Sequence, residues 1–90
     1  MLKKKYKVTN KNGVNARYAT ALVNICMDYE CDINIHNGKK NANFKSIMGV
    51  MSLAISSGNV IEIICNGEDE DSAIKAIETK LYELSIGKEI

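Results

Sequence analysis

Hydrophobic and polar positions change period several times along this chain, and each change marks an element. Lys5-Tyr-Lys-Val-Thr9 alternates, so Tyr6 and Val8 share one side of a half-buried strand. Asn10-Lys-Asn-Gly13 follows as a turn, in which Asn12 or Gly13 can take positive φ. From about Ala16 to Tyr29 the apolar spacing becomes three and four. Ala19, Leu22, Val23, Cys26 and Met27 then fall on one helical face, with Asn15 as the cap. Cys31 to His36 alternates again, with Ile33 and Ile35 inward and Asp32, Asn34 and His36 outward. Asn37-Gly38 is a strong hairpin signal and leads to a strand over Lys40 to Phe44, with Ala42 and Phe44 inward. Ser56-Ser-Gly-Asn59 is a second break. Val60 to Asn66 is the most apolar strand and is expected at the centre of the sheet, with Ile61, Ile63 and Cys65 on one face. After Asn66-Gly67, the acidic run Glu68–Asp71 opens a last helix, where carboxylates suit the dipole. Ile74, Ile77, Leu81 and Leu84 form its stripe, and Gly87 is expected as its stop.

The predicted order is β-α-β-β-α-β-α. Strands with one apolar face need a layer of helices over that face. The expected class is α+β: a two-layer sandwich with one four-stranded antiparallel sheet and three helices on one side. The expected organisation is a single domain over residues 1–90.

The stretch Lys45-Ser-Ile-Met-Gly-Val-Met-Ser-Leu-Ala54 is short and apolar nearly all round. Ser46 suits an N-cap, because its side-chain oxygen can accept from the orphan N–H groups of a first helical turn. A helix with too many apolar residues for one face is either buried or presented to a partner. Two readings stand side by side: a short core helix with a routine serine cap, or a docking patch built from Ile47, Met48 and Met51. Methionine suits the second, being adaptable at binding surfaces.

Composition narrows the function classes. The chain has 90 residues, 46% of them hydrophobic and 26% charged, which fits one modest core. No apolar run is long enough for a membrane span. The basic start Met-Leu-Lys-Lys-Lys5 is followed by mixed, polar sequence, so a secretory signal is not expected. Lys3, Lys4 and Lys5 are expected as the solvated beginning of the first strand. A net charge of +1 gives no argument for nucleic acid, and neither nucleic acid nor a membrane is an expected partner. The three cysteines, Cys26, Cys31 and Cys65, have spacings that fit no zinc site and are expected to be reduced. No metal or cofactor is implied.

The loop before the first helix has its own chemistry. Helix N-termini favour anions, so the amides of Ala16 and Arg17 and the Arg17 guanidinium could hold a phosphate. The plainer alternative is that Asn15 only caps and Arg17 only solvates.

Two windows weigh on that choice. Asn12-Gly-Val-Asn-Ala-Arg-Tyr-Ala-Thr20 and Lys45-Ser-Ile-Met-Gly-Val-Met-Ser-Leu53 resemble the two signature regions of HPr, the phosphocarrier of the bacterial sugar phosphotransferase system. The resemblance runs over essentially the whole chain, including Asp32-Ile-Asn-Ile35. It implies an open-faced β-sandwich, a cytoplasmic location and phosphoryl passage from Enzyme I through an active-site histidine. It implies a carrier rather than an enzyme.

The first window departs from that pattern. The family reads Gly-(apolar)-His-Ala-Arg-Pro, whereas Asn15 and Tyr18 stand at the histidine and proline positions. An amide nitrogen is delocalised into its carbonyl and is not a nucleophile at neutral pH, so the relay is expected to be absent. The lone histidine, His36, lies in another predicted strand and is a poor substitute. Arg17 could instead reach a phosphate on Ser46 if the two windows are neighbours.

The second window is intact. The resemblance implies phosphorylation of Ser46 by HPr kinase/phosphorylase, followed by binding to the catabolite control repressor. The Crh subfamily is similar in lacking the histidine while keeping the serine. Ile47, Met48 and Met51, with Thr20 on the first helix, are the expected docking residues. The competing expectation is a passive HPr-like module that binds Enzyme I or another partner without phosphoryl chemistry. An acyl-phosphate hydrolase is disfavoured by the lack of a base in the loop, and an RNA-recognition domain by the lack of aromatics on Val60–Asn66.

Overall fold

The computed structural model describes every residue, Met1–Ile90. Its elements are β1 (Leu2–Val8), α1 (Ala16–Met27), β2 (Asp32–Asn37), β3 (Lys40–Asn43), α2 (Ile47–Ser52), β4 (Val60–Asn66), α3 (Glu70–Glu83) and β5 (Gly87–Glu89). One antiparallel sheet runs in the order β3-β2-β4-β1-β5. The α+β reading holds, with three helices layered on one face and β4 in the middle.

Alternation explains why the helices share a face. Tyr6, Val8, Ile33, Ile35, Ile61, Ile63 and Cys65 are all buried on the helix side. They meet Ala19, Leu22, Val23 and Cys26 of α1, Val50 of α2, and Ala73, Ile74, Ile77 and Leu81 of α3 in one continuous core. No polar or charged residue is buried there. The phenol of Tyr6, itself fully buried, donates to Glu78 at 3.0 Å.

The sheet has a fifth strand, which corrects the expected four. Gly87 does not stop α3. Ser85, with φ +53°, turns the chain, and the Ile86 N–H bonds back to the Leu81 carbonyl at 2.9 Å. A serine in the left-handed region carries no sequence signal of the kind glycine gives. Gly87 instead opens β5 and lies against β1, where Val8 pairs with it. A Cβ at Gly87 would stand 2.5 Å from the Lys7 carbonyl oxygen.

One boundary and two burial expectations also differ. β1 begins at Leu2, so the lysine run lies within the strand: Lys3, Lys5 and Lys7 face outward, and Lys4 turns inward to Glu78 and Glu89 at 3.6 and 3.8 Å. Met27, expected on the buried face of α1, is 62% exposed. It sits roughly 100° round from Cys26 at the last helical position, beyond the layer that covers Cys26. Leu84, expected in the α3 stripe, is only partly buried.

Replacing Gly87 by alanine tests the strand assignment. Alanine would be harmless at a simple helix stop without positive φ, but here the Cβ must displace the β1 backbone. We expect a loss of about 1–3 kcal/mol by urea denaturation. Unchanged stability would show that the close approach of β5 to β1 is wrong.

Candidate functional site

The first window is built by its turn and its cap. Gly13 has φ +66°, and a Cβ there would collide with the Ile55 carbonyl. The next residue, Val14, donates its N–H to that same carbonyl at 3.1 Å. The loop that supplies Ile55 is itself pinned. Asn59 Oδ1 accepts from Ser56 N–H at 2.9 Å and from Asn37 Nδ2 at 3.2 Å, while Asn37 Nδ2 also reaches the Leu53 carbonyl at 3.0 Å. Asn37, read from sequence only as a hairpin residue, therefore helps hold the platform under the first window.

Asn15 caps α1 as expected. Its backbone is extended, with φ −84° and ψ 179°, and its Oδ1 accepts the Tyr18 N–H at 3.0 Å. That bond needs an N–H at position 18, which proline cannot supply. Arg17 lies with its guanidinium carbon 5.6 Å from the centre of the Tyr18 ring, a cation–π arrangement. Tyr18 thus engages both neighbours, the cap through its backbone and the arginine through its ring. Thr20 turns its hydroxyl back to the Ala16 carbonyl at 2.8 Å, leaving its methyl for contact.

The second window is capped in the same way. Ser46 has φ −116° and ψ 115°, and its Oγ accepts the Gly49 N–H at 3.0 Å. A Cβ at Gly49 would lie 3.1 Å from that Oγ, so glycine keeps the cap uncrowded. Val50 of the short helix and Leu53 at its C-cap turn to the core. Ile47, Met48 and Met51 occupy the other arc and are 40%, 83% and 41% exposed. The segment is both a capped helix and an exposed apolar patch. Ile47 and Met48 N–H have no acceptor within the chain. Lys45 ties this end of α2 to α1: its Nζ donates to the Tyr29 carbonyl at 2.6 Å.

Those bonds set the relation between the windows. Ser46 lies by the C-terminal end of α1, whereas Asn15 and Arg17 lie at its N-terminal end, by Ile55. α1 has 12 residues and is about 18 Å long. The expectation that Arg17 reaches a phosphate on Ser46 is therefore not met. Sequence spacing carried no information on which end of α1 the second window would face. Lys45 was visible as a basic residue beside the serine, but its clamp on Tyr29 was not.

The remaining chemistry-bearing residues lie elsewhere. His36 projects from the uncovered side of the sheet, since its neighbours Ile35 and Asn37 face the helices. The three cysteines are free and buried. Burial pushes the Cys26 and Cys65 thiols up to about 12. It pushes Cys31 to about 11, with the Asp69 carboxylate adding to the rise. Asp69 accepts from the Glu30 and Cys31 N–H groups at 2.8 and 3.0 Å, and the Glu30 bond is the main reason its carboxyl sits below the usual range. No three metal-ligating side chains converge, and no helix is long and apolar enough to cross a membrane. The surface clefts, the widest about 350 Å³ beside Glu30 and Asp69, contain none of Asn15, Arg17, Ser46 or Met48. These four residues lie outside the clefts, on ground suited to protein docking rather than to enclosing a small molecule.

A family model described as "PTS HPr component phosphorylation site" matches residues 2–82. The chain belongs to the HPr family. Solved HPr-family structures agree over nearly the full length. The histidine-containing phosphocarrier protein of Mycoplasma is 35% identical, with 96% of this chain and 98% of that one covered and a TM-score of 0.94. Phosphocarrier protein HPr from Bacillus anthracis is 39% identical over 88% and 94% of the two chains, with a TM-score of 0.81. Crh of Bacillus subtilis, described as the catabolite repression containing protein, forms a swapped dimer in its crystal. It is 36% identical over 92% and 95%, with a TM-score of 0.72. HPr proteins are phosphocarriers, and the likeness to both HPr and Crh places this chain among the proteins of the phosphotransferase system.

Two expectations follow from the geometry. Native protein at pH 8 should react slowly with Ellman's reagent at every cysteine, and quickly once unfolded, because each thiol is both buried and protonated. A fast-reacting thiol in the native state would contradict the packing of Cys26, Cys31 and Cys65. The Asn15–Tyr18 bond also makes the two departures from the HPr window one coupled change. We expect Asn15→His alone to accept phosphoryl groups from Enzyme I poorly, since an imidazole nitrogen at the cap would be held by the Tyr18 N–H. Asn15→His with Tyr18→Pro should label at least about ten times faster, as for loss of one hydrogen bond to the reacting atom. Equal rates for the two variants would uncouple the positions.

Proposed function

We propose that this protein is a regulatory member of the HPr family, switched by phosphorylation of Ser46, and that it does not relay phosphoryl groups. The observation that carries this reading is the contrast between the two caps. Asn15 is a non-nucleophilic amide whose oxygen is tied to Tyr18. Ser46 is a partly exposed hydroxyl beside an exposed apolar patch.

In the proposed step, Ser46 Oγ attacks the γ-phosphorus of ATP held by an HPr kinase/phosphorylase. The Oγ–P bond forms, the bond from the γ-phosphorus to its bridging oxygen breaks, and the hydroxyl proton passes to a base on the kinase. The product carries close to two negative charges at the head of α2. The N–H groups of Ile47, Met48 and Gly49 can donate to the phosphate oxygens without unwinding the helix. Arg17 has no part in holding that phosphate, because it lies at the far end of α1. Recognition falls to a partner with basic residues around an apolar pocket that takes Ile47, Met48 and Met51. Such a partner separates the two forms by charge and by fit together. In the family this partner is the catabolite control repressor, and the site of action is the cytoplasm. Residues 1–90 act as one HPr-like domain in this reading.

A second reading, passive docking to Enzyme I or another partner, is favoured by one observation. Met27 and Met48 are exposed without any modification, at 62% and 83%. The uncharged Asn24 and Met27 on α1 weaken electrostatic steering toward an acidic partner.

The test is the intact mass after incubation with ATP and an HPr kinase, with authentic HPr labelled in the same tube. One phosphate is expected on the native chain and none on Ser46→Ala. A phosphate that persists in Ser46→Ala moves the site. No addition to the native chain removes the regulatory reading and leaves passive docking.

A further inference from the structure

The net charge of +1 conceals a strong segregation made by the fold. On the uncovered side of the sheet, β1 presents Lys3, Lys5 and Lys7, and β5 beside it presents Lys88. All four are exposed, and none has a carboxylate within ion-pairing distance. Lys4, which alternates to the helix side, pairs with Glu78 and Glu89. The register puts Lys7 directly opposite Lys88, a like-charge pair that opposes the strand pairing. On the same face, β4 adds half-exposed Val60 and Ile64 and one carboxylate, Glu62, opposite Lys5.

Lysines often guard edge strands against unwanted pairing. That explains Lys88 but not the other three, because β1 lies inside the sheet between β4 and β5. Glu62 offsets one of the four charges, and the excess that remains points to an anion outside the molecule. The kind of anion follows from what the face lacks. The chain's single arginine, Arg17, is on α1, and no tyrosine, phenylalanine or tryptophan projects from this side; the one ring there is His36, on β2. The lysine-bearing strands β1 and β5 therefore offer no platform for stacking successive bases, which disfavours a single-stranded nucleic acid. Protein interfaces enrich arginine and aromatic residues and deplete lysine. A flat field of lysines, as compact charges on flexible stems with aliphatic residues between them, suits many mobile headgroups.

We propose that the uncovered face of β4-β1-β5 binds anionic lipid bilayers peripherally and reversibly, through Lys3, Lys5, Lys7 and Lys88. This revises the expectation of no membrane partner, which rested on the absence of a span. It is independent of the Ser46 reading: the lysines lie across the sheet from the docking patch, so both surfaces can be occupied together.

The test is co-sedimentation of the native protein with vesicles, either equal parts phosphatidylglycerol and phosphatidylcholine or phosphatidylcholine alone. Binding is expected only to the anionic vesicles, and it should vanish between about 0.05 and 0.5 M salt. Each lysine is worth roughly fivefold in partitioning. The variant K3Q/K5Q/K7Q/K88Q should therefore lose on the order of a hundredfold or more, and K7Q/K88Q about twenty-fivefold. The control K11Q/K39Q/K40Q/K75Q removes the same charge elsewhere and should bind nearly as the native protein does. Equal loss in that control, or no native binding at low salt, overturns the proposal. So does retention on polyuridylate at salt that already strips the vesicles, which would assign the face to RNA. K7Q/K88Q relieves a repulsion and is expected to fold, so it reads binding even if the quadruple variant does not.

Discussion

Burial with a period of two in the strands confines every helix to one side of the sheet, and the placement of function follows from that confinement. With Tyr6, Ile33, Ile35, Ile61 and Ile63 all pointing one way, α1, α2 and α3 must share a single layer. Both HPr windows are helix beginnings, so both belong to that layer. The other side of the sheet is left to lysines, asparagines and His36, with Val60, Ile64 and the carboxylates of Glu62 and Asp32 among them. A molecule of this size thereby gains two chemically unlike surfaces without a second core.

Within the helix layer one local device appears twice with opposite consequences. Asn15 and Ser46 are both extended residues whose side-chain oxygens accept the N–H three residues on. At Asn15 the accepting group is an amide, chemically inert, and the donor is a residue the family pattern replaces with proline. At Ser46 the acceptor is a hydroxyl that still has a nucleophilic oxygen and a proton to give up. Capping is an equilibrium worth about 1 kcal/mol, far too weak to bar a kinase. The difference between the windows is thus one of functional group, reinforced by a ring stacked on Arg17.

Much of this was readable in the residues. The apolar run Val60–Asn66 pointed to a central β4, Asn37-Gly38 to the β2–β3 hairpin, and the cap residues to two helix starts. What escaped has physical causes. A three-residue strand such as β5 is too short to show a period, and Ser85 turns the chain at positive φ without glycine. Tyr18 was opaque because its decisive contribution is a backbone N–H, which every residue but proline has. The separation of Arg17 from Ser46 depends on the Lys45–Tyr29 and Val14–Ile55 bonds, which join residues far apart in sequence. Charge segregation was hidden by the alternation itself, since Lys3, Lys4 and Lys5 read as one run while the strand splits them between two faces.

The position of β1 has a consequence for how the chain comes to be folded. Every partner of β1 is late in sequence: Leu2 pairs with Cys65, and Tyr6 with both Ile61 and Glu89. Such distant pairings pay their loop-closure entropy before they return any stabilisation. On a ribosome, β1 would emerge first and wait with Tyr6 and Val8 uncovered, while α1 and the β2–β3 hairpin find local contacts. Neither the sheet nor the core beneath it can close until β4 and then β5 arrive. The first strand to be made is the last to be secured on both of its edges.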